Sequence, residues 1–234
     1  MTVPKTLFPH VRTAWRPLVT EADGPATASK MAGTPYVPAG EPYPTCPNCA
    51  APLQLFVQLD TATLPEAVRG EHGEGLIQLF YCTSQEPMCE VDCEAFFPFS
   101  RSVVARLVVP DGLPEADLPE VADAFPPRQI VGWEAFDDYP SGAESMSRLG
   151  VALTDAEQDT AWEAAAYGDK LGGWPAWIQG VEYPDCPRCG RAMRLVFQVD
   201  SEETLPVVFG DSGVGHLTQC PVHQDVLAFG WACG

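Results

Sequence analysis

Tyr43-Pro44-Thr45-Cys46-Pro47-Asn48-Cys49 leads into Leu53-Gln54-Leu55-Phe56-Val57-Gln58-Leu59-Asp60, and 140 residues later Tyr183-Pro184-Asp185-Cys186-Pro187-Arg188-Cys189 leads into Met193-Arg194-Leu195-Val196-Phe197-Gln198-Val199-Asp200. Each copy is a two-cysteine knuckle followed by an apolar segment. In the first, Leu53, Leu55, Val57 and Leu59 alternate with Gln54, Phe56 and Gln58, the period-two pattern of a strand. The echo extends outward. Lys30-Met31-Ala32-Gly33-Thr34-Pro35 recurs as Lys170-Leu171-Gly172-Gly173-Trp174-Pro175, Gln58 and Asp60 recur as Gln198 and Asp200, and Gly73 and Gly75 recur as Gly213 and Gly215. On sequence no gap is needed from Lys30 to Gly75.

Further strands are expected at Leu76–Cys82, Ser102–Val109, Gly215–Cys220 and Val226–Cys233, with one more around Arg128–Trp133. Pro110-Asp111-Gly112 stops the third strand. Residues 1–28 are expected as a short strand or helix on the first lobe, and Asp137-Asp138-Tyr139-Pro140 as a turn or surface patch. Thr154 and Glu157 have capping-box spacing, opening a helix that carries Trp162, Ala165 and Ala166 and closes at Gly168. A small sheet has an apolar face that it cannot bury alone. The expected fold is therefore mainly β, with α+β as the alternative: two similar antiparallel sheets packed in one pseudo-twofold globule. The first lobe spans 1–125, an acidic, proline-rich connection 126–150, and the second lobe 151–234.

The formal net charge of -19 argues against nucleic acid, whose phosphates require clustered Lys and Arg, and equally against anionic membrane. It favours a basic protein partner. No apolar run reaches the ~18 residues of a membrane span, and Met1 to Ala26 lacks the pattern of a secretory leader. A cytoplasmic setting is expected, and there nine cysteines read as thiols or metal ligands.

A C-x2-C knuckle places two thiolates on one tetrahedral ion. A redox pair would follow a strand and open a helix, whereas Cys46/Cys49 and Cys186/Cys189 precede strands. If 53–60 and 76–82 pair antiparallel, Cys82 falls beside the first knuckle, with Cys89 and Cys93 in the next loop: five candidates for four places. By the same reasoning Cys220 falls beside Cys186 and Cys189, and His223 follows three residues later, with Cys233 as its competitor. Two structural zinc ions are expected, because four protein ligands leave no open coordination position.

No catalytic constellation stands out. The paired glycines lack the helix and lysine of a phosphate loop. Asp60 and Asp200 would form an acid–base pair only if they converged, and such residues more often cap turns. Trp133, Trp174, Trp177, Tyr183, Phe96 and Phe97 are mostly core candidates, and any left exposed would suit a peptide groove.

The KxxGxP and CPxC motifs, with Leu79-Phe80-Tyr81-Cys82, Cys220-Pro221-Val222-His223 and Trp231-Ala232-Cys233, resemble the YwqG-like proteins, domain of unknown function 1963, over roughly residues 28–234. That group is similar to the programmed cell death protein 2 family. The resemblance implies a duplicated, mainly β domain and a role in holding another protein. The expected function is a zinc-stabilised, non-enzymatic protein-interaction module, chaperone-like toward a basic client. The alternative is a hydrolase-like small-molecule enzyme with its site in the cleft between the repeats.

Overall fold

The computed structural model describes residues 3–162 and 164–234. Ten strands carry the fold: β1 (Arg12–Thr20), β2 (Lys30–Met31), β3 (Gln54–Asp60), β4 (Leu76–Tyr81), β5 (Val103–Val108), β6 (Arg128–Asp138), β7 (Lys170–Gly172), β8 (Arg194–Asp200), β9 (Val214–Gln219) and β10 (Leu227–Ala232). Among the described residues, three short α-helices accompany them, α1 (Cys89–Asp92), α2 (Gly142–Ser147) and α3 (Asp155–Trp162), with 3-10 turns at Lys5–His10, Thr61–Thr63 and Glu66–Val68.

The protein is mainly β, but the expectation of two packed sheets is corrected. All ten strands form one sheet in the order β10-β9-β8-β7-β1-β6-β2-β3-β4-β5, and every pairing is antiparallel. The sheet curls until its edge strands β5 and β10 lie close together. Trp231 helps to close it, its backbone N–H donating to the Phe96 carbonyl at 3.1 Å and its indole N–H to the Tyr81 hydroxyl at 2.9 Å. Curling lets a single sheet bury its own inner face. Phe56, Tyr81, Phe209 and Phe229, drawn from both arms of the sheet, share one core, with Phe56 and Tyr81 stacked at 4.9 Å.

The joint between the arms is β1 against β6, paired from Arg12↔Asp138 to Thr20↔Gln129 with a register shift between Leu18 and Val19. Residues 1–28 therefore do not merely pack on the first lobe: β1 also pairs with β7. Pro17 is tolerated in this central strand because β7 reaches only Ala14 and Trp15. Beyond Trp15, β1 has a neighbour on one side only, so Pro17 stands in an edge position, where proline is found in sheets. The strand expected around 128–133 runs on to Asp138, which is completely buried and not on a surface patch.

Two short segments lock this joint. Lys30 on β2 pairs with Asp23 at 2.7 Å, and Lys170 on β7 with Asp138 at 2.8 Å. Both lysine side chains are fully buried. The carboxylates also accept backbone amides, Asp23 from Thr34 at 3.0 Å and Asp138 from Trp174 at 2.7 Å and Ala166 at 3.0 Å. Gly33 and Gly173 are required here. They sit at φ +79° and +71°, and a Cβ on either would lie within 2.4 Å of the carboxylate. The KxxGxP motif is thus an ion-pair clamp.

The apparent lack of a gap up to Gly75 is also corrected. Asp60 faces Leu76 and Asp200 faces Val214, so the spacing between matching positions drops from 140 to 138 after this turn. Gly75 therefore corresponds to Gly213: their carbonyls accept from Thr61 Oγ1 at 3.0 Å and Ser201 Oγ at 2.6 Å. The alternation across 53–60 is broken as well. A bulge between Leu55 and Val57 puts Leu53 and Leu55 against the cysteines and Val57 and Leu59 in the main core. The capping box holds, with the Glu157 amide donating to Thr154 Oγ1 at 3.3 Å and the Thr154 amide to Glu157 Oε2 at 3.0 Å. The described helix reaches Trp162, short of Gly168.

Candidate metal centres

Each knuckle is built by the same backbone bonds. The Cys46 amide donates to the Ala51 carbonyl and the Ala50 amide to the Cys46 carbonyl, both at 2.8 Å. Cys186 with Arg191 and Gly190 with Cys186 repeat these bonds at 2.8 Å. The fifth residue of each turn is left-handed, Ala50 at φ +62° and Gly190 at φ +64°. The following strand then runs back past the end of the next one, which brings Cys82 and Cys220 to the knuckles.

In the first cluster the sulfurs of Cys46, Cys49, Cys82 and Cys89 all lie within 4.8 Å of one another. Cys46 to Cys89 and Cys49 to Cys82 are each 3.7 Å. In the second, Cys186, Cys189, Cys220 and His223 gather equally closely, with Cys189 to Cys220 at 3.7 Å and His223 Nδ1 3.7 Å from Cys186 and 3.8 Å from Cys220. Disulfides would require about 2.05 Å. Four sulfurs bound tetrahedrally at about 2.3 Å from one zinc would sit about 3.8 Å apart. Both clusters are geometrically compatible with a metal ion.

Of the five candidates in the first half, Cys93 stands outside the cluster. It caps the C-terminus of α1, its carbonyl accepts from Ser100 Oγ at 2.8 Å, and its thiol meets Arg101. Cys89 opens α1 and points into the cluster instead. In the second half Cys233 also stands apart, at the end of β10 over Gly210, where His223 is the fourth member.

The surroundings suit thiolates. Val222 and His223 amides point at Cys220 sulfur from 3.4 and 3.3 Å. Burial opposes ionisation of Cys220, but those amides and the neighbouring Cys186 and Cys189 thiols outweigh it, bringing the thiol down to about 6. At Cys49 burial is likewise outweighed, by the Ala51 amide and the adjoining thiols, giving about 7. Burial pushes Cys82 up. A cluster of thiols cannot all ionise without a cation among them.

Neighbouring side chains fix the clusters in different ways. Asn48 Nδ2 donates to Cys89 sulfur at 3.4 Å and to Asp92 at 3.3 Å. At the matching place Arg188 makes a two-pronged contact with Asp225, one arm at 3.0 Å. Spacing alone carries no signal for these partners.

Asp60 and Asp200 serve the backbone. Asp60 accepts from the Ala62 amide at 3.0 Å, and Asp200 from Gly168 at 2.6 Å and Ser201 at 2.8 Å. Trp174 and Trp177 are buried, while Phe97 is 57% exposed.

The chain is thus a single-sheet, mainly β protein with two thiol-rich four-residue clusters. A family model described as a domain of unknown function (DUF1963) matches residues 29–219, and the chain belongs to that family. It is also similar to the uncharacterized protein YpfL of Salmonella typhimurium, 24% identical over 159 residues, covering 68% of this chain and 32% of that protein. The chain spans about a third of that relative's length.

Proposed function

We propose that this protein is an internally duplicated, zinc-stabilised interaction module that holds a basic protein client, without catalysing a reaction. The carrying observation is the pair of four-ligand clusters, each spaced for a tetrahedral ion and each complete without solvent. Cys46, Cys49, Cys82 and Cys89 hold one zinc, and Cys186, Cys189, Cys220 and His223 hold the other. Their role is structural, because a closed shell offers no position to a substrate. They anchor the loops at the outer ends of the two arms, where Leu53 and Phe80, or Met193 and Val226, form only small apolar clusters.

Duplication is supported by the matching knuckle bonds, clamps and bulges, with β1 and β6 exchanged between the halves: Asp138 clamps from the end of β6 and Asp23 from the loop just beyond β1. The client reading is supported by the net charge of -19, which steers basic proteins toward the chain.

Elemental analysis of the purified chain tests the metal reading. Two zinc ions per chain are expected, falling to one in either Cys46→Ser or Cys186→Ser. A metal-free, folded wild type refutes it. The client reading predicts that the immobilised chain retains basic proteins in a salt-sensitive manner, beyond an unrelated protein of equal charge. Equal retention by that control refutes it.

A further inference from the structure

Arg106 provides a template for an empty place elsewhere in the molecule. On β5 it stands opposite Gln78 of β4, and its Nε donates to Gln78 Oε1 at 2.9 Å. The guanidinium lies 5.4 Å from the Phe80 ring centroid and reaches Glu41 at 3.5 Å. Gln78 Nε2 donates to the Tyr36 carbonyl and to Gln58 Oε1, both at 2.7 Å.

On the other arm Gln198 faces His216, and His216 faces Gly230. The Ala176 amide donates to Gln198 Oε1 at 2.9 Å, as the Tyr36 amide donates to Gln58 Oε1 at 2.9 Å. His216 occupies the place of Gln78, and it too meets the carbonyl ahead of it, that of Ala176. Gly230 occupies the place of Arg106. The acceptor has been kept and the cation deleted.

The consequence is a buried atom without a partner. Among the described residues, the buried side-chain nitrogens lacking one are His216 Nε2 and Arg106 Nη2. Burial and the nearby Lys170 charge keep His216 neutral, holding its pKa down to about 3. With its other nitrogen protonated toward Ala176, Nε2 is a lone-pair acceptor that calls for an N–H donor. Leaving such an atom unpaired is costly.

Beside Gly230, which carries no side chain to reach toward His216, lies a pocket of about 590 Å³, within the range of ligand sites. His216 lines it together with Phe96, Phe97, Trp177, Tyr183 and Trp231, and Glu182 adds a carboxylate. Tyr183 corresponds to Tyr43, which lies near Arg106. Aromatic faces and a carboxylate suit a planar cation. This strand cannot refill the space, since a Cβ on Gly230 would come within 2.9 Å of the Phe96 carbonyl oxygen.

We propose that this pocket binds the guanidinium of an arginine side chain carried by a partner protein, supplying from outside what Arg106 supplies within the chain. The source of the guanidinium rests on the basic-client reading above; the pocket itself does not. Calorimetric titration of the full zinc-loaded chain tests both, using methylguanidinium and a short neutral-flanked peptide containing arginine, citrulline or lysine. The arginine peptide should bind at least about tenfold more tightly than the citrulline peptide, which keeps the shape and loses the charge. It should also exceed lysine, and it should shift the His216 ring-nitrogen resonance. His216→Gln, which restores the residue of the other arm, should retain binding, whereas His216→Leu should lose about tenfold, with circular dichroism reporting the fold of each. Equal binding of arginine and citrulline, or of arginine and lysine, overturns the assignment. Binding of methylguanidinium without the peptide overturns the protein source. If basic proteins are retained but no guanidinium probe binds, this inference fails and the client reading stands.

Discussion

Replacing Asp138 by asparagine tests the clamp on which the sheet is centred. The side chains of Asp138 and Lys170 are both fully buried, and their atoms meet at 2.8 Å. Burial lowers the pKa of Lys170, and the Asp138 charge opposes that shift. Asparagine keeps the shape but leaves the ammonium without a counter-charge. Removing one partner of a buried pair costs about 3–5 kcal/mol. The carboxylate also accepts the Trp174 and Ala166 amides, and an asparagine –NH2 turned toward either faces a donor, so the upper half of that range is expected. The matching substitution, Asp23→Asn, touches a carboxylate that is 36% exposed, where water screens the loss and about 1–2 kcal/mol is expected. Urea denaturation of the zinc-loaded protein measures both. The double variant Asp138→Asn/Lys170→Met should recover much of the loss, because no charge is then stranded. A loss below about 1 kcal/mol for Asp138→Asn, or no recovery in the double variant, would refute the clamp as an energetic unit.

Other outcomes follow from particular residues. Ala50→Gly should stabilise the first knuckle and Gly190→Ala destabilise the second, each by about 0.5–1 kcal/mol, because both positions are left-handed and only alanine is strained there; equal thermal shifts of the same sign would contradict this. His216 titrates near 6.5 when unfolded and near 3 when folded, so protons favour the unfolded state as pH falls through that window. By pH 5 the loss from this group is about 2 kcal/mol, and the stability gap between wild type and His216→Gln should shrink by that amount between pH 7.5 and 5. With both clusters loaded, a native thiol assay should find Cys233 reacting first and the buried Cys93 slowly, while the other seven cysteines react only after chelation.

Much of the candidate site was legible beforehand because it is local. The knuckles are turns of a few residues, and antiparallel pairing carries Cys82 and Cys220 to them once the strands are recognised. The choice among Cys82, Cys89 and Cys93 was not legible, since it depends on a four-residue helix that points Cys89 inward and leaves Cys93 at its cap. The clamp was hidden for a related reason. Lys30 finds its carboxylate seven residues upstream and Lys170 finds it 32 upstream, so no common spacing marks the pair. The counterpart of His216 was hidden as well: after the turn it is Gln78, two places from where an ungapped comparison puts it.

By itself the sequence determined the strands with clear period-two or continuous apolar runs, the capping box at Thr154 and the two cysteine knuckles, all decided by contacts within about ten residues. Tertiary structure decided what joins them. β1 and β6 contain proline, glycine and charged residues, and their sequence marks only a short strand around 128–133 and an undecided strand or helix before residue 28, yet they pair along nine positions because each supplies the other's missing hydrogen bonds. That pairing merges two expected sheets into one and buries Asp138, while the pairing of β9 with β10 sets His216 opposite Gly230. A vacancy of that kind belongs to no single segment and exists only once the strands are in register.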